Sequence, residues 1–509
     1  MSKIEARTTQ RTYLLLLGLA VALPAAILPI IAIYTHFLKH GAYYLDSGFF
    51  AYLLTDAGLK MQSPAVLNSG SYLSTHVSPT FYLFQFISSF FSLTPHFTFA
   101  LWQACIAVTA VMAAYLTYAR SKEHNPKFFV YKEILALTAL PFSGLAIDIL
   151  GYPHTESLAV SLMCLNISLL FTESKVTRTA SWIFFALALG VREDVGFHYF
   201  ALCMTYLVLA FITKKTCPKW PSLLAIAIIG FIYSAAVVVL QKKFFPGDNA
   251  FARIYSGTPP WQHIDASFLI DRLSQFFTKK TFISLPLLGL VLYAFKTRQI
   301  ILVTPVFAFL PWLTVNLLAI AESAGTIMGY YAYPLLFIFC WPILSLDLTA
   351  HDKEQSRSTK SDLIKFTGLM LLASIILYRV APGSHAFRLL NPVNVKLLWN
   401  GTFERHKCVV ESFVGSTNGQ GKIGPQYGAL FPSQYSRKEV YFDDHEVLNS
   451  NYVLTWKNGY FVDRLVNGKE FREIFEQSIQ LNAPYEVWNR KNIKSSDLLE
   501  DELRKCINE

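Results

Sequence analysis

FFALALGVREDVGFHYFALCMTYLVLAFI, residues 184–212, is an apolar run, a charged junction and a second apolar run. Each run reads as a membrane span. Arg192, Glu193 and Asp194 stand at the junction, with Gly196 just behind. Charges at the end of a span are costly to place and are retained mainly for function. The plainer reading is a self-paired charged turn in the headgroup layer.

The pattern repeats outward from this stretch. The chain has 509 residues, 53% hydrophobic and only 15% charged, against about 25% charged in an ordinary soluble domain. Hydropathy divides it into about eleven membrane spans: 13–38, 97–118, 134–150, 157–171, 180–191, 197–212, 221–240, 282–295, 300–320, 327–346 and 363–378. The fold class expected is an α-helical polytopic membrane protein. The first segment follows Lys3, Arg7 and Arg11 and is too long for a signal-peptide core, so it reads as a span with a cytoplasmic N-terminus. Residues 39–96 form a first outer loop with short apolar stretches, read as surface or re-entrant helices. Treating 79–91 as a span would invert the bias that puts Lys- and Arg-rich loops inside. The net charge of +10 fits basic residues beside spans and anionic headgroups. No Arg-rich tail or aromatic RNA-binding motif points to nucleic acid.

Residues 1–380 thus make a transmembrane domain and 381–509 a small, polar, extracytoplasmic α/β domain. In the latter, KEVYFDD, NYVLTW and YEVWNR read as strands, and KEFREIFEQSI and SSDLLEDELRKCI as helices. Cys408 and Cys506 lie in this domain; they are either a disulfide or two unpaired thiols. Asn166-Ile-Ser168 matches a glycosylation sequon but falls inside a span.

Threaded this way, Asp46, His76, His154, Glu156, Glu193 and Asp194 emerge on one face. Asp46 in YYLDSGFF can act as general base or hold a divalent metal against a phosphate; equally, it can cap the helix that follows. His76 in THVSPTF can donate to a lipid phosphate or be a loop histidine before Pro79. GYPHTES holds His154 and Glu156 two residues apart in a tight turn. Arg192 can neutralise a leaving phosphate, with Glu193 and Asp194 orienting it. Arg253, in a loop mixing cations and aromatics, and Tyr331 are weaker candidates for substrate contact. No P-loop, G-x-G-x-x-G or G-x-S-x-G motif is present, so ATP, nicotinamide and acyl-serine chemistry lack a visible site.

At these residues the chain resembles a domain-of-unknown-function group of prokaryotic polytopic membrane proteins related to the GT-C glycosyltransferases. The echoes are Asp46-Ser47-Gly48-Phe49, Thr75-His76-Val77-Ser78-Pro79, Tyr152-Pro153-His154, Arg192-Glu193-Asp194-Val195-Gly196, and in the tail Phe431 to Arg437 followed by Tyr452-Val453-Leu454. Thr75 and Tyr152 stand where that group commonly has an acid, and the tail histidine is absent. The resemblance implies a GT-C-like fold and transfer of a sugar from a polyprenyl-phosphate donor to a lipid, glycan or protein acceptor outside the cytoplasm. It puts Asp46 forward as base or metal ligand, with magnesium or manganese as the metal, and implies an inner-membrane location. Two other classes stay open: a transporter or flippase for a lipid-linked or anionic solute, and a non-catalytic envelope assembly factor. A transporter should carry its charges near mid-bilayer.

Overall fold

The computed structural model describes residues 3–40, 44–55, 57–62, 70–123, 131–151, 154–172, 174–215, 217, 219–247, 251–327, 329–347, 356–381, 401–423, 447–456, 466, 468–480, 485–493 and 497–508. The chain divides into two compact units built from interleaved segments. The first comprises Met1–Pro29, Ser74–Thr80 and Trp102–Phe387; the second comprises Ile30–Leu73, Phe81–Leu101 and Arg388–Glu509.

The chain is an α-helical, multi-pass membrane protein. Helices α1 (Lys3–His40), α2 (Tyr44–Leu53), α3 (Thr80–Phe90) and α4 (Pro95–Glu123) come first, then α5 (Tyr131–Ala139), α6 (Gly144–Gly151), α7 (Ser157–Leu170) and α8 (Lys175–Leu189). The series continues with α9 (Val195–Ile212), α10 (Trp220–Phe244), α11 (Ala266–Thr278), α12 (Thr281–Lys296), α13 (Thr304–Leu317), the single turn α14 (Glu322–Gly325), α15 (Tyr333–Leu344) and α16 (Ser356–Val380).

Among the described residues, 7 helices are long and apolar enough to cross a membrane, or up to 8 if α11 and α12, which meet at 87°, count as one broken span. The eleven apolar segments expected from hydropathy are all largely helical, but they are not equivalent. Segments 157–171 and 327–346 become the short helices α7 and α15, every residue of which is buried. Segment 180–191 falls in α8, of 15 residues. Hydropathy scores a helix wrapped by other helices like one facing lipid, since both surroundings are apolar. That is why the sequence suggests more full spans than the lengths support.

Small residues and polar clasps hold the first unit. A Cβ at Gly196 would sit 2.0 Å from the Gly230 carbonyl oxygen, so α9 and α10 cross backbone to backbone. Asn166, the first residue of the sequon match, is buried and donates from Nδ2 to the carbonyl and hydroxyl oxygens of Ser181 (2.9 Å each), tying α7 to α8.

In the second unit, rings of Phe49, Phe50, Tyr72, Phe81 and Phe99 pack together; Tyr72 stacks on Phe81 at 5.6 Å. Its helix α3 has 11 residues, roughly half of what a span needs. It exposes Leu83, Phe86 and Phe90 while burying Phe81 and Phe84.

The C-terminal part carries α17 (Thr402–Thr417), α18 (Lys469–Ile474) and α19 (Asp497–Asn508) with strands β1 (Gly421–Ile423), β2 (Tyr452–Trp456), β3 (Phe475–Gln480) and β4 (Tyr485–Arg490). The strands form one sheet in the order β1-β2-β4-β3, with β1 parallel to β2 and the other pairs antiparallel. NYVLTW and YEVWNR are strands and the 497–508 segment is a helix, as expected. KEFREIFEQSI is not one helix: it turns at Ile474 and continues as β3. From Phe475 the chain pairs antiparallel with β4, with a register shift between Gln477 and Ile479, and Phe475 and Ile479 are buried. KEVYFDD and Phe431 to Arg437 lie outside the described residues. Cys408 and Cys506 are joined by a disulfide between α17 and α19, Cα to Cα 5.6 Å.

Candidate functional site

The site is built where α8 ends and α9 begins. Gly190 caps α8, and its carbonyl accepts from the Thr80 amide at 2.8 Å, while the Thr80 hydroxyl donates to the Leu187 carbonyl at 2.9 Å. A Cβ at Gly190 would lie 2.6 Å from the Thr80 hydroxyl oxygen, so the close approach needs glycine there. Glu193 completes the join. Its Oε1 meets His76 Nδ1 at 2.8 Å and its Oε2 accepts from the Val77 amide at 2.9 Å. Both carboxyl oxygens of this buried residue therefore hold segment 74–80.

The neighbouring acid does something different. Asp194 precedes α9 but does not cap it with its side chain. Its carboxyl receives two hydrogen bonds from Arg192, Nε to Oδ1 at 2.9 Å and Nη2 to Oδ2 at 2.6 Å, a bidentate pair. Arg192 also donates from Nη1 to Glu156 Oε1 at 3.2 Å. The guanidinium lies 5.6 Å from the Trp312 ring and 5.9 Å from the Tyr333 ring. His198, one turn after Asp194, places Nε2 3.7 Å from Asp194 Oδ2 and 3.1 Å from the Tyr333 hydroxyl.

Residues 154–156 complete the cluster through the Arg192–Glu156 bond. Their backbone is pinned from α4: Trp102 Nε1 donates to the Thr155 carbonyl and Gln103 Nε2 to the His154 carbonyl, each at 2.9 Å. His154 Nδ1 bonds Glu156 Oε2, and its ring stacks on Tyr330 at 3.8 Å and 11°. Tyr331 is buried with Ala319 and Ala324, and its carbonyl accepts from Trp312 Nε1 at 3.2 Å.

Burial and charge set the proton states. Burial opposes charge on Arg192, but the Asp194 carboxylate outweighs it and holds the guanidinium pKa well above its ordinary value. Burial pushes Asp194 up, yet the attraction of Arg192 prevails and its pKa ends below 3.8. Burial, with His76 and Arg192 nearby, drops the His154 imidazole well below 6.5, so this ring is neutral near pH 7. Burial raises Tyr255, against the same cluster, to about 12. The arrangement suits orienting a polar substrate, with carboxyl groups outnumbering the single guanidinium. Among the described residues no three His, Cys, Asp or Glu side chains come together as a metal-holding group. His76 is spent on Glu193, and Asp194 on Arg192.

No family model and no curated protein matches the chain. Among solved structures it is similar to ArnT from Cupriavidus metallidurans bound to undecaprenyl phosphate, with 12% identity and a TM-score of 0.46 over 93% of this chain and 97% of that one. The same protein in the apo state gives 14% identity and a TM-score of 0.45 over 94% and 98%.

Of the residues singled out from sequence, His76, His154, Glu156, Arg192, Glu193 and Asp194 come together in hydrogen-bonded contact. Tyr331 adjoins them through Tyr330. Arg253 is exposed in the turn 252–256. Asp46 falls in α2, and its side chain lies outside the described residues. Sequence reading missed His198, Trp312 and Tyr333. His198 had a usable signal, its position four residues after Asp194 on one helical face; the other two had none.

Proposed function

We propose that the chain is an integral-membrane glycosyltransferase that moves a sugar from a polyprenyl-phosphate donor to an extracytoplasmic acceptor. One observation carries this reading: residues far apart in sequence, His76, His154 with Glu156, and Arg192 with Glu193, meet through the His76–Glu193, His154–Glu156 and Arg192–Glu156 contacts. Nothing in local sequence requires that meeting.

In the proposed reaction the acceptor hydroxyl oxygen attacks the anomeric carbon, and the bond from that carbon to the phosphate oxygen breaks. The electron pair leaves with the polyprenyl phosphate. The hydroxyl proton passes to a carboxylate, assigned to Asp46 by the motif resemblance. Asp194 is a poor base, because Arg192 depresses its pKa; its task is to hold the guanidinium. Arginine has five N–H donors and three are used here, leaving two to turn toward a phosphate oxygen. Glu193 positions His76. Asp46, the candidate ligand for magnesium or manganese, has its side chain outside the described residues, and no step is routed through a metal.

The Cys408–Cys506 disulfide supports an oxidising, extracytoplasmic side for the C-terminal part, consistent with a cytoplasmic N-terminus in the inner membrane.

Mass spectrometry of glycolipids and surface glycans tests the proposal in cells with the chain, without it, and with Asp46→Asn or Arg192→Lys at matched protein level. A sugar-sized mass lost without the chain and in Asp46→Asn is expected, with partial loss in Arg192→Lys. Unchanged masses in cells lacking the chain would sink the transferase reading.

A further inference from the structure

Helix α11 divides into three faces. At about 100° per residue, Phe268, Arg272 and Phe276 share one face, and Arg272 and Phe276 are buried. Leu269, Ile270, Leu273 and Phe277 share the next, within an arc of about 100°, and are 38%, 69%, 48% and 50% exposed. Ser267, Asp271, Ser274 and Thr278 share the third and are exposed. One face meets protein, one is open and apolar, and one is open and polar. A span half inside the bilayer has no use for an exposed polar face along its whole length. A helix lying flat at the boundary of headgroups and acyl chains needs all three.

We infer that α11 lies in the plane of the membrane surface, with Leu269, Ile270, Leu273 and Phe277 inserted into the lipid of one leaflet. The occupant of the open apolar face follows from continuity. α12 leaves the corner at 87° and exposes Leu285, Leu288, Leu292 and Phe295, the lipid-facing side of a span. The exposed Lys279 stands at the corner, at headgroup level. The corner is a surface helix turning into a span, not a span broken at mid-bilayer.

The consequence reaches the site. The Arg272 guanidinium packs on Gly325, where a Cβ would lie 2.6 Å from Cζ, and stands 4.9 Å from the Phe268 ring. The turn 319–325 thus rests on the inner face of α11 and carries the Ala319–Ala324–Tyr331 cluster, next to the Tyr330 ring on His154. This sets the depth of the His154 and Arg192 cluster near the membrane surface. The inference does not rest on the transferase reading, and its failure would leave the glycan masses to decide that reading.

The test is depth measurement by nitroxide labels in the full chain, reconstituted in phospholipid nanodiscs. Ile270→Cys, Leu273→Cys, Phe277→Cys and Ser274→Cys are labelled one at a time, with the part-exposed Cys105 and Cys217 replaced by alanine. Labels at 270, 273 and 277 should be oxygen-accessible at depths agreeing within about 3 Å, since they share a face of a flat helix, and the label at 274 should be nickel-accessible. A graded depth of about 10 Å from 270 to 277, the rise of seven residues, would mean a broken span and overturn the inference. So would nickel access at all four positions, or no access of either reagent at 270, 273 and 277, which would mean a protein partner or second copy. An acyl-chain diazirine phospholipid should also label residues 266–278 of the unsubstituted chain; absence of that label counts against lipid contact independently of any variant.

Discussion

Replacing Arg192 by methionine keeps much of the side-chain volume and removes the charge that Asp194 and Glu156 face. Removing one partner of a buried ion pair costs about 3–5 kcal/mol, and the side chains here are 11%, 21% and 2% exposed, so solvent screening is slight. A ceiling follows from the proton. A stranded Asp194 can take one up instead of staying charged. From an unfolded value of 3.8, doing so at pH 7 costs about 4.4 kcal/mol at 1.36 kcal/mol per unit. The expected loss at pH 7 is therefore about 3–5 kcal/mol, including the lost Glu156 bond.

The same arithmetic gives a pH signature. In the parent chain the folded pKa of Asp194 lies below its unfolded value, so its contribution is present above pH 3.8 and is lost only as pH falls through the depressed value. In Arg192→Met, burial without the guanidinium puts the folded pKa above the unfolded one, so that variant gains stability as pH falls. Between pH 7 and pH 5 the gap between the two proteins should close by up to about 2.7 kcal/mol. Arg192→Met/Asp194→Leu should be more stable at pH 7 than Arg192→Met by about 2 kcal/mol or more, since the stranded charge is gone. Steric-trap unfolding in bicelles at pH 7 and pH 5 measures all of these. A single variant within about 1 kcal/mol of the parent, or a gap independent of pH, would refute the reasoning.

His154 gives an acid-side effect: its folded pKa lies well below 6.5, so the unfolded chain binds the extra proton, and stability should fall below pH 6.5 by up to about 1.4 kcal/mol per unit. His154→Gln should flatten that slope in the same unfolding assay; an unchanged slope would locate the effect elsewhere. Glu193→Gln should loosen segment 74–80, because its amide nitrogen can only donate where two carboxylate oxygens now engage His76 and the Val77 amide. Amide exchange there should quicken by about ten- to a hundredfold, for a loss of about 1.5–3 kcal/mol. The disulfide closes a separation of 98 residues, worth about 3–5 kcal/mol by loop entropy. Cys408→Ser/Cys506→Ser should speed exchange in α17 and α19 by at least about a hundredfold. Gly196→Ala, with its Cβ 2.0 Å from the Gly230 carbonyl oxygen, should destabilise more than Gly230→Ala, whose nearest contact is 2.9 Å; the reverse order in unfolding measurements would mean that the helices shift freely.

What the sequence reveals and what it hides divides at the same tripeptide. The junction Arg192-Glu193-Asp194 stands out because charge interrupts two apolar runs, and the apolar runs themselves mark the helices. Hydropathy cannot separate lipid from protein as an apolar neighbour, so fully buried α7 and α15 resembled spans. Nor can composition separate two consecutive acids. Read from sequence, Glu193 and Asp194 are an equivalent pair. In the fold they point apart: Glu193 reaches His76, 117 residues away, while Asp194 turns back on Arg192, two residues away. Glu193 and Asp194 share the turn before α9, and consecutive side chains leave the backbone in different directions. Trp312 and Tyr333 were invisible for a related reason: ordinary span aromatics become cluster residues only through the packing of α13 and α15. His198 was legible, because helical spacing alone sets it beside Asp194. The charged junction thus contains two devices with separate tasks, a tie that holds segment 74–80 and a neutralised guanidinium with donors to spare. Substituting Glu193 should therefore act first on local order, and substituting Asp194 on the charge and freedom of Arg192.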